Sequence, residues 1–215
     1  PELASLTTLR IAELASEAGL PDGVFNVVPG LGHIAGKALG LHMDVDVVAF
    51  TGSTEVGRRF LAYSGESNLK RVSLELGGKS PQLVFPDAPD WAAVAAQVAI
   101  AIFWNMGENC SAGSRLIVHR SVKGRLLEAL EAELAGWSVG DPLEPSTRIG
   151  ALINRERLET VLGYVRAGEA EGARVVLGGR QLFPDSGGYF VGPTVLDNVR
   201  NEMRVAREEI FGPVH

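Results

Sequence analysis

The sequence contains very little cysteine and no cluster of histidines. Cys110 is the only cysteine among 215 residues, so neither an intrachain disulfide nor a zinc site of several thiolates can form. This cysteine usage fits a reducing compartment, and we expect a cytoplasmic protein. The histidines, His33, His42, His119 and His215, are scattered without the spacing of metal ligands, so no metal site is predicted.

Long apolar segments and an excess of positive charge are also missing. The longest nearly uncharged run, Trp91 to Phe103, is well short of the roughly 20 residues that a bilayer-crossing helix needs, so it predicts a buried core helix. We therefore expect neither a signal peptide nor a membrane partner. Twenty Lys and Arg against 26 Asp and Glu give a net charge of −6, which argues against nucleic acid as a partner.

Strand and helix patterns alternate in the first third of the chain. Apolar, β-rich runs predict strands at Val24 to Val28, Val45 to Phe50 and Val72 to Leu76, and helical spacing predicts helices from Leu3 to Leu14, within Gly30 to Gly40 and over Thr54 to Ala62. This alternation predicts an α/β fold with a parallel sheet.

A glycine pair, Gly77-Gly78, marks a change of pattern, and we place a domain boundary there. The two predicted domains are residues 1–76 and 77–215. In the second domain we predict strands at Gln82 to Phe85, Arg115 to His119, Val175 to Leu177 and Tyr189 to Leu196, with helices over Trp91 to Phe103, Ser121 to Ala135 and Asn154 to Glu171.

Two glycine-rich segments each follow a predicted strand and open a helix. Gly30 to Gly36 has the spacing GxGxxxG, one residue longer than the dinucleotide fingerprint, so a tight turn with close packing is the better interpretation. In Phe50 to Gly57 (FTGSTEVG), free amides at the helix start and the hydroxyls of Ser53 and Thr54 suit a phosphate. Simple capping of the helix by Ser53 explains the same residues equally well.

One thiol and one carboxylate are candidates for chemistry. Cys110 lies within Asn105 to Ser114 among small and polar residues, which favours an accessible, reactive thiol over an inert buried one. A Cys–His hydrolase needs a base beside the sulfur, and His119, in a predicted strand, has no special claim to that role. Glu75 lies on the polar face of its strand, just before Gly77-Gly78 leaves space for a ligand or a second backbone; a solvated strand residue is the alternative.

In chain order, four segments resemble signature motifs of the aldehyde dehydrogenase superfamily. They are FTGSTEVG at Phe50 to Gly57, LELGGKSP at Leu74 to Pro81, GENCSAGSR at Gly107 to Arg115 and EEIFGPV at Glu208 to Val214. The resemblance runs along the whole chain and implies part of a Rossmann-like cofactor domain, residues 1–76, joined to an α/β catalytic domain, residues 77–215. Because members of this family are far longer, we expect a piece of a homodimeric or homotetrameric enzyme that is inactive by itself.

The resemblance implies a role for individual residues. Cys110 corresponds to the nucleophile and Glu75 to the general base. The implied cofactor is NAD or NADP, held at its pyrophosphate, its two riboses and its nicotinamide by Gly52, Ser53, Thr54, Glu55, Val56, Gly57, Leu76, Glu209, Phe211 and Glu2. Glu209 matches a ligand of the nicotinamide ribose and Phe211 a neighbour of the ring. A carboxylate at Glu2, beside the adenosine ribose, repels a 2′-phosphate and so favours NAD.

The implied reaction oxidises an aldehyde to a carboxylic acid through a thiohemiacetal and a thioester on Cys110, and Glu75 activates the water that releases the acid. The presence of Glu75 favours the hydrolytic branch over the branch that transfers the acyl group to coenzyme A. The nucleophile segment resembles that of enzymes acting on aminoaldehydes and γ-glutamyl-aminobutyraldehyde. Two alternatives stay open: a non-catalytic α/β binding module with part of a nucleotide site, and a Cys-dependent hydrolase or acyltransferase that works without nicotinamide.

Overall fold

A computed structural model describes residues 2–215 and separates them into two compact units, with the boundary between Leu76 and Gly77. Each unit has its own strands and helices, so each is described by itself. Among the described residues, no helix is long and apolar enough to cross a membrane, and no group of His, Cys, Asp or Glu side chains could hold a metal ion.

The first unit is built on a two-stranded parallel sheet. Its elements are α1 (Leu6–Glu17), a π-helical turn (Gly32–Gly36), α2 (Lys37–Leu41), β1 (Val47–Gly52), α3 (Thr54–Gly65) and β2 (Arg71–Leu76). Strand β1 pairs in parallel with β2, which confirms the predicted parallel arrangement in this part of the chain. Phe60 of α3 is buried against Phe50 of β1, with ring centroids 4.9 Å apart, and so joins the helix to the sheet.

The predicted strand at Val24 to Val28 is wrong, because this segment is irregular. A β-rich run becomes a strand only when a neighbouring strand pairs with its backbone, and none does so within residues 2–215. Val24 and Val28 are 65% and 70% exposed. The first helix begins at Leu6 rather than Leu3, and none of its residues is buried.

The second unit contains three two-stranded sheets and four α-helices, among them α4 (Trp91–Phe103) and α6 (Arg155–Ala170). Parallel pairing joins β3 (Pro81–Val84) to β4 (Arg115–Val118), and antiparallel pairing joins β5 (Arg174–Leu177) to β8 (Val195–Asp197) and β6 (Gln181–Leu182) to β7 (Phe190–Val191). The remaining helices are α5 (Lys123–Leu134), after a 3-10 turn at Arg120–Val122, and α7 (Arg204–Arg207).

Helix α4 matches its prediction residue for residue. Asp90 ends the preceding turn and caps the helix, its carboxylate accepting hydrogen bonds from the amides of Ala92 and Ala93. The uncharged residues that follow bury Ala95, Ala99, Ile102 and Phe103 among others, and α4 packs along α5. The apolar composition of this helix follows from its place in the core.

The single predicted strand from Tyr189 to Leu196 is wrong, because it is divided into β7 and β8. Gly192 and Pro193 lie at the break, and proline has no amide hydrogen to donate to a sheet ladder. The chain therefore changes partner, from β6 on one side of the break to β5 on the other.

Candidate active site

Cys110 lies in an exposed turn of the second unit, between the 3-10 turn Trp104–Gly107 and β4. Asn109 Oδ1 shapes this turn by accepting hydrogen bonds from the Ser111 amide at 3.3 Å and the Ser111 hydroxyl at 3.1 Å, and it lies 4.0 Å from the Cys110 sulfur. The Cys110 amide donates to no acceptor in the described part of the chain. The predicted accessibility of the thiol is therefore present, with a free N–H beside the sulfur.

The backbone leading to this turn is strained. Asn105, Met106 and Gly107 all have positive φ, at 52°, 57° and 70°. The left-handed conformation costs a non-glycine residue about 1–3 kcal/mol and persists only where surrounding contacts impose it. Two hydrogen bonds hold it here: the Glu108 amide donates to the Asn105 carbonyl, and the Asn105 side-chain amide donates to the Glu108 carbonyl, both at 3.0 Å.

Gly77 and Gly78 bring Glu209 to the same part of the second unit. The Gly78 amide lies 3.4 Å from Glu209 Oε1, and a Cβ at Gly77 would overlap the Glu209 carboxylate. A Cβ at Gly78 would come within 3.3 Å of the Cys110 carbonyl oxygen. The space expected beside this glycine pair is thus taken by the Glu209 side chain and the Cys110 backbone, so two of the predicted site residues each contact the glycine pair.

The loop that carries Glu209 and Phe211 is also constrained. Phe211 has a φ of 54°, unusual for a non-glycine residue, and its side chain is 36% exposed. The preceding Glu208 accepts hydrogen bonds from the Tyr164 hydroxyl at 2.9 Å and from Arg204 Nε at 2.7 Å. The Arg204 guanidinium also lies 4.6 Å from the centre of the Tyr164 ring. Burial and the neighbouring Glu208 carboxylate together raise the pKa of Tyr164 above its usual value.

Two further charged groups beside these segments have shifted pKa values. Burial raises the pKa of Glu108, two residues before Cys110, although the Arg157 guanidinium opposes part of that effect. Burial, with a smaller contribution from Arg115, lowers the pKa of Lys79 to about 8, against the attraction of Glu209. Both shifts reflect partial desolvation, which is common around functional sites.

His119 has a structural role at the end of β4. Its Nδ1 atom pairs with the Ser121 hydroxyl at 2.8 Å and lies 3.3 Å from the Ser121 amide, so the ring caps the next turn. This agrees with the expectation that His119 has no special claim as a base.

In the first unit, the start of α3 has the geometry expected for an anion. Ser53 caps the helix, its hydroxyl oxygen accepting from the Val56 amide at 3.3 Å and its carbonyl from the Gly57 amide. Helix geometry leaves the amides of Thr54 and Glu55 without intrahelical partners. Capping and anion binding, which the sequence left as alternatives, are therefore compatible, because two amides stay available beside the capped ones.

Close packing fixes this helix start at the ends of the strands. A Cβ at Gly57 would lie within 2.9 Å of a Leu76 methyl group, so glycine lets α3 approach β2 closely. The Glu55 carboxylate is paired with Arg59, one turn later, which offsets a negative charge that would repel a phosphate. Thus the residues present fit a pyrophosphate group.

Glu75 lies on the exposed face of β2, opposite Thr51 of β1 in the parallel register. Both strands end one residue later, so Glu75 lies at the carboxyl edge of the sheet, where ligands bind in open α/β folds. Glu75 belongs to the first unit and Cys110 to the second, and their cooperation stays a prediction.

Glu2 is bound to the turn that begins the Gly32–Gly36 segment. Its Oε1 atom accepts a hydrogen bond from the Gly32 amide at 3.0 Å. Backbone hydrogen bonds from the Glu2 amide and from the Gly32 amide lower the pKa of this carboxyl group. The glycine-rich segment therefore contacts Glu2.

The chain belongs to the aldehyde dehydrogenase family, whose family profile matches residues 1–215. It is 54% identical to the aminoacetaldehyde dehydrogenase of Pseudomonas aeruginosa over 98% of this chain and 42% of the relative. A solved structure of the P. syringae indole-3-acetaldehyde dehydrogenase AldA, in complex with NAD+ and IAA, superposes with a TM-score of 0.96 and 55% identity, over 98% of this chain and 43% of that one.

A γ-glutamyl-γ-aminobutyraldehyde dehydrogenase from Burkholderia cenocepacia gives a TM-score of 0.94 and 53% identity, over 98% of this chain and 42% of that one. This chain spans about 42% of the length of the Pseudomonas aeruginosa relative. The predicted α/β fold of the aldehyde dehydrogenase type is confirmed.

Sequence reasoning missed Tyr164, Arg157 and a close contact between Gly107 and Gly212, where a Cβ at Gly107 would overlap the Gly212 carbonyl oxygen. Glycine at both positions was a usable signal for this contact, because a residue without a Cβ lets two backbones approach closely. Arg157 and Tyr164 lie on a helix whose sequence pattern is that of an ordinary amphipathic helix. Because their partners are distant in sequence, no local pattern marked these two residues.

Proposed function

We propose that this chain carries the nucleophile, the general base and part of the cofactor site of an NAD-dependent aldehyde dehydrogenase, which oxidises an aldehyde to a carboxylic acid. The observation that carries the proposal is the exposed Cys110 thiol, with its free amide, in a turn that follows the strained Asn105–Gly107 backbone and lies beside Gly78, which also contacts Glu209. Membership of the family supports the same function.

In this proposal the Cys110 thiolate adds to the aldehyde carbonyl carbon, forming a C–S bond and an oxyanion. The unpaired Cys110 amide supports this step, because it would be available to donate to that oxygen, and such donors are worth about 10²–10³ in rate in acyl-transfer enzymes. Re-formation of the carbonyl then breaks the C–H bond, so the hydrogen leaves with both bonding electrons as hydride and a thioester remains on Cys110; the acceptor of the hydride would be the nicotinamide of NAD.

Glu75 completes the cycle as general base. Its carboxylate takes a proton from water, the hydroxide oxygen attacks the thioester carbon, and the C–S bond breaks to return the Cys110 thiolate and release the carboxylic acid. The position of Glu75 at the carboxyl edge of the parallel strands supports this role.

NAD, when bound, supplies the nicotinamide that accepts the hydride. Gly52 to Gly57 and Leu76 would hold the pyrophosphate side of the cofactor, Glu209 and Phe211 the nicotinamide side, and Glu2 the adenosine ribose. The free amides at the start of α3 and the glycine at Gly57 support the first of these assignments. A carboxylate accepts several hydrogen bonds, so Glu2 has capacity for ribose hydroxyls beyond the Gly32 amide.

The substrate class we propose is small aldehydes with an amino or aromatic substituent. The names of the relatives, which include an aminoacetaldehyde dehydrogenase and an indole-3-acetaldehyde dehydrogenase, support this range. The proposal includes a homodimer or homotetramer and a reducing compartment such as the cytoplasm, where the Cys110 thiol stays free.

The test is NADH formation at 340 nm with the protein in its full encoded length, NAD, and a panel of aminoacetaldehyde, indole-3-acetaldehyde and γ-glutamyl-aminobutyraldehyde. We expect turnover that Cys110→Ser abolishes and that the control Ser121→Ala, in the same unit, leaves unchanged. NAD binding without turnover would favour the binding-module alternative. Ester hydrolysis that needs Cys110 but no nicotinamide, without aldehyde oxidation, would favour the hydrolase.

A further inference from the structure

One face of α6 contacts both the segment that precedes Cys110 and the loop that carries Glu209 and Phe211. Arg157, Val161 and Tyr164 are spaced by four and three residues, so they lie in a row on one side of the helix. We call these three residues the α6 stripe. None of them belongs to a signature segment of the family resemblance, and α6 itself carries no predicted site residue.

The C-terminal end of the stripe holds the Glu209–Phe211 loop. The Tyr164 hydroxyl donates to Glu208 at 2.9 Å, and Arg204 donates to the same carboxylate at 2.7 Å while it lies against the Tyr164 ring. Glu208 immediately precedes Glu209. Two donors therefore bind the charged Glu208 carboxylate. These hydrogen bonds hold the backbone from which the neighbouring Glu209 side chain extends.

The middle of the stripe supports the contact between the two segments. A Cβ at Gly212 would overlap the Val161 side chain, and a Cβ at Gly107 would overlap the Gly212 carbonyl group. Val161 is fully buried. Helix α6 therefore packs against the Gly212 loop, and this loop packs against the nucleophile segment. Because these contacts are close, a displacement of one element displaces the others.

The N-terminal end of the stripe faces the nucleophile segment. Glu108 Oε1 and Arg157 Nε are both buried, and neither has a hydrogen-bond partner in the described part of the chain. The Arg157 charge stabilises the Glu108 carboxylate. The Arg157 backbone is itself fixed, because its amide donates to the capping Asn154 side chain at 2.8 Å.

We propose that the α6 stripe positions the Cys110 turn and the Glu209–Phe211 loop relative to each other, so that Arg157, Val161 and Tyr164 are positioning residues of the reaction. This inference rests on the proposed function. The reaction requires the Cys110 sulfur, the carbonyl carbon and the nicotinamide to be correctly placed relative to one another. A misplacement of a reacting group by about 1 Å costs on the order of 10²-fold in rate. A single rigid helix that contacts both segments meets that requirement.

The first test compares Tyr164→Phe with Tyr189→Phe in the protein of full encoded length. Tyr189 is a matched control, because its ring also lies under an arginine, Arg155, whereas its hydroxyl makes no hydrogen bond within residues 2–215. We expect Tyr164→Phe to raise the Kd for NAD, measured by calorimetry, about tenfold, since it removes one hydrogen bond to a charged group. The rate at which iodoacetamide alkylates Cys110 without NAD should not change.

Glu208→Gln is the second variant at this end, because it keeps an acceptor for Tyr164 while it removes the charge that Arg204 binds. The double variant Tyr164→Phe with Glu208→Gln should raise the Kd by less than the product of the two single effects, since both changes act on one contact. A purely structural role would lower the thermal midpoint without this change in NAD affinity.

The second test uses the other end of the stripe. Arg157→Met leaves the Glu108 carboxylate buried without its counter-charge. Because Arg157 then no longer positions the segment that carries Cys110, we expect alkylation of Cys110 to slow about tenfold. The double variant Arg157→Met with Glu108→Gln removes both charges and should restore most of the rate. Arg166→Met, on the exposed side of the same helix, is the matched control and should behave as wild type.

The outcomes separate this inference from the function on which it rests. A wild-type protein that neither binds NAD nor oxidises aldehyde overturns both. A wild-type protein that does both, with Tyr164→Phe equal to Tyr189→Phe in NAD affinity and Arg157→Met equal to Arg166→Met in alkylation, overturns only the positioning role of the α6 stripe.

Discussion

Gly107 and Gly212 pack backbone against backbone in the second unit, so closely that a Cβ at Gly107 would overlap the Gly212 carbonyl group. Gly107 lies three residues before Cys110, and Gly212 follows Phe211 directly. This contact therefore joins the candidate nucleophile segment to the candidate nicotinamide loop without any side chain between them. It also explains why glycine is needed at Gly107 for reasons beyond its backbone angle.

The first prediction concerns this contact. Gly107→Ala should lower the free energy of unfolding by about 3 kcal/mol, because alanine is strained at a φ of 70° and its Cβ also overlaps Gly212. Gly187→Ala is the matched control: its φ is 78°, but nothing lies within 4 Å of the added carbon, so the cost should be about 1 kcal/mol. Chemical denaturation of both variants measures the difference, and equal costs would contradict the close contact.

The second prediction concerns the start of α3. Ser53→Ala should lower the free energy of unfolding by about 1 kcal/mol, because it removes the cap on the Val56 amide. Ser5→Ala should cost close to nothing, since Ser5 precedes α1 without a capping hydrogen bond from its side chain. Under the proposed function only the Ser53 change also weakens NAD binding. An equal loss of stability in both variants would show that the Ser53 hydroxyl does not cap α3.

The third prediction is a pH dependence at Asp197. Burial alone would raise the pKa of this carboxyl, but hydrogen bonds from Lys123, from the Asn198 amide and from Arg174 together lower it. Because the folded pKa lies below the unfolded value of about 4, the stabilisation is complete above pH 4 and is lost as the pH falls through the folded pKa. Denaturation curves between pH 7 and pH 2 should show this loss, and Asp197→Asn should abolish that part of it.

At neutral pH Asp197→Asn should cost about 1–2 kcal/mol, mostly from lost hydrogen bonds, because Lys123 and Arg174 are 40% and 64% exposed and solvent screens their charges. Glu202→Gln is the control, since the Glu202–Arg200 pair is exposed on both sides and should contribute close to nothing. A pH profile that is the same for wild type and Asp197→Asn would rule out the assigned ion pairs.

The fourth prediction tests the cofactor preference. Under the proposed function, Glu2→Gln should raise the ratio of kcat/KM for NADP to that for NAD by roughly tenfold, because it removes a negative charge that repels a 2′-phosphate. Glu13→Gln, on the exposed side of α1, makes the same change in net charge and should leave the ratio unaltered. Steady-state kinetics with both cofactors decide between a local and a general charge effect.

The sequence predicted correctly those helices and strands that depend only on residues close together in the chain. Helix α4 follows from an aspartate cap and an uninterrupted apolar run, and both of its ends were predicted correctly. The segment Val24 to Val28 shows the opposite case, because a strand depends on a partner that its own residues do not determine. Pro193 was visible in the sequence as a strand breaker, yet the apolar residues around it favoured one continuous strand.

The same division applies to the site. The small and polar residues around Cys110 predicted an exposed turn, which the fold contains. The left-handed backbone at Met106 had no sequence signal, since methionine rarely adopts it and only surrounding contacts hold it there. Tyr164 and Arg157 could not be found from spacing, because their partners become neighbours only when the chain folds.

The most direct measurement is the mass of the peptide that contains Cys110 after one turnover. Glu75→Gln protein of full encoded length is mixed with NAD and aminoacetaldehyde, quenched in acid, digested and analysed by mass spectrometry. We predict that this peptide gains the mass of one acyl group, in an amount equal to the NADH formed, because the thioester accumulates when its hydrolysis is slow. NADH formation with an unmodified Cys110 peptide, or with the acyl group on another residue, would contradict the central claim.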